Sequence, residues 1–182
     1  MNYTNYHATH LSGVSEPTFI KIKDRIQEWL HVDTTSKIGG EGVENQIDET
    51  AICNGEKIIK PSSIYDSYPN TQWIIVVLKI IKEKNFSLEL VPNRKASTIR
   101  DLLERRVEKE TIIVTNGYPS YPSAIEGFGS VNHVVNHTRG FVNRDGMYTN
   151  FIENLWSHLK QQYRSRGGVN KDRIQLFLNE FE

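Results

Sequence analysis

The chain predicts an α/β fold, and three observations carry that expectation. Residues 44–52, 72–80 and 86–91 read as strands, punctuated by the NGE, PNT and EKN segments. Beyond them apolar residues recur at helical spacing from about Pro92 to Lys109 and again from Met147 to Arg166. Between those helices lie short buried-type runs at 111–114 and 131–135. Mixed order with a helical layer points to a mixed sheet flanked by helices rather than to a sandwich or a bundle. With 182 residues, 37% apolar and 24% charged, the chain has material for one sizeable core. The expected organisation is a compact domain over 39–182 with a helical N-terminal segment over 1–38.

Residues 1–10 are polar and read as frayed. LSGVSEPTFIKIKDRIQEWL follows, with Ser15 or Thr18 placed to start a helix and Pro17 suited to its first turn. Phe19, Ile22, Ile26, Trp29 and Leu30 are its apolar stripe, expected to face the body. Leu-x-Gly-Val-Ser before a helix, with Gly13 in the turn, is the beginning of a partial helix-turn-helix, with Lys21, Lys23 and Arg25 on its outer face. Packing on the domain behind it is the alternative. Ser36–Gly42 is a glycine-rich joint whose spacing is not that of a phosphate loop.

The first strand carries Asp48 and Glu49, and residues 54–70 read as a loop. The helix from Pro92 to Lys109 turns Ile99, Leu102, Leu103 and Val107 inward, so that Arg94, Arg100, Arg105 and Arg106 read as its exposed side. A short helix over 118–126 separates the two later strands, and 136–148 reads as a polar loop carrying Arg139 and Arg144. In the long helix Phe151, Ile152, Leu155, Trp156 and Leu159 form one stripe, and Thr149 is placed to cap its start. Glu153 and Lys160 lie two turns apart on one face. A Gly167-Gly168 break and a last amphipathic helix from Asn170 to Phe181 complete the chain. Three strands, helix, strand, short helix, strand, helix is the order of an RNase H-like domain, a likeness of fold alone.

Asp48 lies inside a strand, a costly place for an acid unless it is paired, at an edge or bound to metal. Thr115-Asn116-Gly117 ends the fourth strand and Glu153 lies on the long helix. An RNase H-like arrangement converges these three positions. Oxygen-rich side chains there would hold two hard cations such as Mg²⁺, which together activate and stabilise the oxygens of a phosphodiester. Lys160 would then hold a phosphate as a point charge. The bland alternative is an amphipathic surface helix with a solvated charge pair.

Composition excludes other classes. Lys+Arg and Asp+Glu both number 22, so net charge leaves no nucleic-acid footprint, and Lys160, Arg164 and Arg166 form only a local basic patch. The one cysteine, Cys53, supports neither a disulfide framework nor a cysteine zinc site, and it reads as a small buried hydrophobe. Cysteine usage suits a reducing compartment. The start MNYTNYHATH has no signal architecture, and the longest apolar run, Trp73–Ile81, is interrupted by Lys79 and has strand length. Trp73 and Trp156 read as core. His133 and His137 lack partners at ligand spacing and read as structural or nucleic-acid contacts.

IGGEG, IDET, TIIVTNGYPSY, VNHVVNHTRGFVN, MYTNFIENLWSHLK and LNEFE occur in that order. Together they resemble the Merlin-type DDE transposases and their bacterial insertion-sequence relatives, from about Ser12 to the C-terminus. The resemblance implies an RNase H-like fold, a two-metal Mg²⁺ or Mn²⁺ site, and cleavage and strand transfer at the terminal repeats of transposon DNA. By position it implies Asp48, Asn116 and Glu153 as catalytic and metal-binding residues, with Asn150 a second candidate for the third position. Lys160 matches the basic residue that follows, and Arg139, Arg144, Arg164 and Arg166 are the further candidate DNA contacts. A homodimer pairing two ends is implied, with no membrane and no small-molecule substrate. The expected place is intracellular: the nucleus in a eukaryotic host, the cytoplasm or nucleoid in a bacterial one.

The chain departs from that pattern at its second acid, where a T-D-G turn would hold Asp and this sequence has Asn116. An amide carries no charge and does not bridge two cations, so catalysis is expected to be feeble or absent. Engineering, natural decay or repurposing, and deamidation of Asn116-Gly117 are three routes to this state. The N-terminal cysteine-rich zinc ribbon of bacterial relatives is missing, and Tyr148 stands where His is usual. The competing readings are a domesticated DNA-binding or protein-interaction module and a structural RNase H-like module within a larger assembly.

Overall fold

A computed structural model describes residues 5–29, 36–53, 57–59, 71–80, 85–135 and 150–182. Two helices, α1 (Asn5–Ser12) and α2 (Glu16–Trp29), precede strand β1 (Glu44–Cys53) and the short β2 (Lys57–Ile59). Then come β3 (Thr71–Lys79), β4 (Asn85–Val91), α3 (Ala96–Arg106), β5 (Ile112–Thr115), α4 (Ser120–Ile125) and β6 (Val131–Val134). Helix α5 (Asn150–Ser165), a single 3₁₀ turn (Lys171–Arg173) and α6 (Ile174–Phe181) close the chain.

Five strands lie side by side in the order β4-β3-β1-β5-β6. β3 pairs antiparallel with β1 and β4, whereas β5 pairs parallel with β1 and β6. β5 covers only the first half of β1, at Glu44–Ile47, and β2 pairs antiparallel with its far end at Ala51–Cys53. This is the α/β, RNase H-like mixed sheet with flanking helices that the element order predicts.

The two-residue period of β3 builds both layers. Trp73, Ile75 and Val77 join Ile99, Leu102 and Leu103 of α3 and Tyr121, Ala124 and Ile125 of α4 in one core. Ile74, Val76 and Leu78 join Ile152, Trp156, Leu159 and Tyr163 of α5 and Ile174, Phe177 and Leu178 of α6 in the other. β3 is therefore apolar on both faces, as a central strand between two helical layers must be. β1 obeys the same alternation, with Ile47, Glu49 and Ala51 directed to the first layer and Gln46 and Asp48 to the second.

Local chemistry ends the helices. Before α3 the Asn93 side chain accepts from the Lys95 N–H at 3.0 Å and from the Thr98 hydroxyl at 2.7 Å. The helix stops at Arg106, three residues before the expected end, because Ile38 draws Val107 into an extended bridge. After α5, Gly167 adopts a φ of 69°, and the Gly168 and Gly167 N–H groups return to the carbonyls of Tyr163 and Arg164. That reciprocal pair is a Schellman cap.

Three expectations need correction. Residues 5–12 form a helix rather than a frayed end, so a helix does precede the Gly13 turn, whose N–H bonds to the Thr9 carbonyl. The supposed loop over 54–70 contains β2, and the rest of it lies outside the described residues. The stripe of α2 faces outward: Ile22 is 47%, Ile26 50% and Trp29 80% exposed, while Gln27 is buried. Polar groups set that rotation. Asp24 pairs with Arg173 at the start of α6, and the Gln27 amide donates to Glu180 on α6. Leu30, Thr149 and the side chain of Cys53 lie outside the described residues.

The joint before β1 has little room. Gly39 has a φ of 120°, and a Cβ there would stand 2.2 Å from the Thr111 hydroxyl oxygen. That hydroxyl donates to the Glu108 carbonyl at 2.6 Å and accepts from the Gly40 N–H at 2.9 Å. Gly39→Ala combines a clash with an unfavourable backbone region, and urea unfolding is expected to show a loss of about 2 kcal/mol or more.

Candidate functional site

The site grows from two adjacent acids on the central strand. Ile47 is registered beside Thr115, the last residue of β5, so parallel pairing carries Asn116 to the side of Asp48. The Asn116 Nδ2 donates to Asp48 Oδ1 at 2.6 Å. Its Oδ1 accepts from the Tyr118 N–H at 3.0 Å in a local turn around Gly117. A backbone N–H only donates, so the oxygen must face Tyr118 and the nitrogen must face Asp48. Gly117 has a φ of 83°, and a Cβ there would approach Val134 to 2.8 Å.

Helix α5 supplies the other half. The Ile152 N–H, an unsatisfied donor of its first turn, is accepted by Gln46 Oε1 at 3.3 Å. One turn later Trp156 Nε1 donates to Asp48 Oδ2 at 2.9 Å. Glu153 lies between these anchors in the first turn, with an exposed side chain whose charge is felt at Asp48. Each Asp48 oxygen thus accepts a side-chain N–H, and the residue is only 8% exposed.

Burial pushes the Asp48 carboxyl up from 3.8 to about 8, and the charges of Glu49 and, less, Glu153 push the same way. The Trp156 hydrogen bond and a backbone hydrogen bond pull it down, and desolvation wins.

Glu49 points to the opposite layer. Its Oε1 pairs with Arg94 at 3.2 Å, and its Oε2 accepts from the Tyr121 hydroxyl at 2.6 Å. The Arg94 guanidinium is sandwiched between the Trp73 and Tyr118 rings, 3.9 Å from each centroid. Burial raises Glu49, against the hydrogen bond from Tyr121 and the charge of Arg94. Burial and the neighbouring Glu49 charge lift Tyr121 well above its ordinary value, so its hydroxyl stays a donor.

The reading of Arg94 as exposed helix surface is wrong. It precedes α3 and is 4% exposed, because buried Glu49 needs a cation. The missed signal was a second acid in the strand interior, beside Asp48. Of its former companions, Arg105 and Arg106 pair with Glu89, and Arg100 donates to the Ser123 and Glu126 carbonyls.

Among the predicted contact residues, Lys160 is half-buried on α5 and Arg164 is exposed in its last turn. Arg166 is engaged internally, its two terminal nitrogens on Glu180 at 3.0 and 2.5 Å and its guanidinium over Phe177. Asn150 opens α5 with an exposed side chain. Arg139, Arg144, His137 and Tyr148 lie outside the described residues, and His133 is half-buried on β6. Trp73 and Trp156 are core residues, each also holding a charged partner.

Two hard cations ask for an oxygen-lined cavity. Here position 116 turns an uncharged amide nitrogen, not an oxygen, toward the Asp48 carboxylate, which leaves two acids among the three residues. Asp48, Asn116 and Glu153 do not fit a two-cation centre as they stand.

Residues 46–182, which include these three positions, match the family described as the ISXO2-like transposase domain. An uncharacterised transposase-like protein of Haemophilus influenzae is 28% identical over 94 residues, 51% of this chain and 74% of that protein.

Two outcomes follow from the buried acids. Arg94→Met leaves Glu49 buried without its cation and should cost about 3 kcal/mol in urea unfolding, most of it recovered by adding Glu49→Gln. For Asp48 the folded-state value lies above the unfolded one, so between pH 3.8 and about 8 the folded chain holds the extra proton. Stability from this group is greatest below that window and falls through it by up to about 1.4 kcal/mol per pH unit. In EDTA, the midpoint of thermal unfolding should fall across that range, and less steeply for Asp48→Asn.

Proposed function

The chain belongs to the ISXO2-like transposase domain family, and from that premise we propose that it is a DDE-type DNA-processing domain whose catalysis is feeble or absent in its present form. Asp48, position 116 and Glu153 are its acid positions, and the substrate is the phosphodiester backbone at transposon ends. The observation that carries this reading is the double tether of Asp48, to residue 116 and to the helix that bears Glu153. Lys160 lies two turns beyond Glu153 on the same helix and suits a backbone phosphate. Arg164 and, by sequence, Arg139 and Arg144 extend that basic track. Arg166, exposed and paired with Glu180, is a further candidate on that track. The α1–Gly13–α2 hairpin, with Lys21 and Arg25 exposed, is a second candidate DNA contact.

Mg²⁺ or Mn²⁺ is the cofactor class that belongs to such chemistry, and its restoration requires a carboxylate at position 116. A dimer that pairs two DNA ends is the assembly this reading entails, with Merlin-type elements as its functional analogy. One observation favours the alternative of a repurposed DNA-binding or protein-interaction module. Among the described residues Asp48 takes its hydrogen bonds from protein N–H groups, the Asn116 and Trp156 side chains foremost. No helix of the described residues is long and apolar enough to cross a membrane.

The test is Mn²⁺-dependent nicking of transposon-end DNA by the wild type, Asn116→Asp, and Asn116→Asp combined with Glu153→Gln. Asn116→Asp is expected to raise nicking by about two orders of magnitude, and Glu153→Gln to abolish the gain. No gain from a folded Asn116→Asp protein would defeat the catalytic reading. Retained DNA affinity with a steep salt dependence would then support the binding module.

A further inference from the structure

We propose that Asn116 acts as an internal substitute for a cation: its amide N–H completes the acidic pocket around Asp48, and a carboxylate at 116 would turn that pocket into a divalent-cation site. This inference does not rest on DNA cleavage, because it concerns how the pocket is held together.

The orientation of Asn116 is fixed by the chain itself. Its oxygen is taken by the Tyr118 N–H, so its nitrogen points at Asp48 Oδ1 across 2.6 Å. Asn and Asp have the same shape, and Asp would keep the turn to Tyr118 because it accepts as well as Asn does. Only the atom facing Asp48 would change, from a donor to a second acceptor. Two carboxylate oxygens at that separation repel unless a proton or a cation lies between them.

Among the described residues, a backbone hydrogen bond at Glu49 also favours the Asp48 carboxylate, and the neighbouring acids oppose it. Asp48 Oδ2 is already occupied by Trp156, and Glu49 and Glu153 add negative charge at Asp48. Arg94, the cation that serves this strand's other acid, is committed to Glu49 between two aromatic rings. The pocket is therefore complete without metal with Asn at 116, and with Asp it gains a third oxygen-bearing acid and a need for a counter-charge. A hard divalent ion meets that need with the ligands it prefers.

The experiment compares thermal unfolding of wild type, Asn116→Asp and Asn116→Ala in alkaline buffer, in EDTA and in millimolar Mn²⁺, with Mn²⁺ binding followed by electron paramagnetic resonance. Wild type should show the same midpoint in both conditions. Asn116→Asp should melt several degrees lower in EDTA and recover in Mn²⁺, with Mn²⁺ bound about tenfold tighter or more than by wild type. Asn116→Ala should also melt lower in EDTA, but without recovery, since it loses the donor and gains no ligand. An Asn116→Asp chain that folds only when Mn²⁺ is present supports the proposal. It is overturned if Asn116→Asp matches wild type in EDTA or is not rescued by Mn²⁺. It is equally overturned if Mn²⁺ stabilises wild type as much as the Asp variant. Nicking activity is not a readout here, so this idea and the catalytic reading fail separately.

Discussion

The pairing of two adjacent carboxyl groups on a central strand constrains the rest of this molecule. Asp48 and Glu49 are both buried, and strand alternation sends them to opposite layers. Each layer must then supply donors where a sheet protein would ordinarily place Val or Ile. The layer of α5 supplies Trp156, and the β5 end supplies Asn116. The layer of α3 and α4 supplies Arg94 and Tyr121. Burying a charge without such partners would cost several kcal/mol, comparable with the net stability of a domain this size. The register of β1 against β5 and the seating of α5 are thereby tied to polar chemistry as well as to apolar packing.

Much of this architecture was legible in the residues. Strands and helices followed from period and punctuation, and their limits shifted only where a long-range contact intervened, as Ile38 does at Val107. Asp48 was legible as costly because it stands inside a strand, and Asn116 because it follows a short buried run in a turn. Glu49 and Arg94 were not. They are 45 residues apart in sequence and meet only because β3 and β4 intervene and bring the start of α3 back over β1. Periodicity assigns faces within an element and is silent about which distant charge will need a partner.

The same limit explains α2. Its apolar residues predict an inward stripe by the ordinary rule, yet Asp24 and Gln27 face the body. Their partners, Arg173 in the 3₁₀ turn and Glu180 on α6, lie at the far end of the chain and leave no local signature. Arg166 shows the reverse effect. It reads as part of a basic patch, but the Schellman cap at Gly167-Gly168 turns the chain so that α6 returns Glu180 to it. A charge that reads as unpartnered in sequence is thus paired within the fold.

Tyr118 joins the two halves of the acidic strand. Its backbone N–H fixes the orientation of Asn116 and hence which atom Asp48 meets. Its ring covers one side of the Arg94 guanidinium, which holds Glu49, and packs edge-on against Tyr121, which donates to the same carboxylate. The turn after β5 is therefore braced from the layer that holds Glu49, while its side chain at 116 bonds Asp48 and also pulls Glu49 down. Polarity at position 116 can change without loss of shape, since the turn is held by the Tyr118 N–H, which donates to an amide oxygen or a carboxylate oxygen alike. The geometry of the pocket and its chemistry are set by different atoms of the same short turn, so one substitution can alter the second while leaving the first in place.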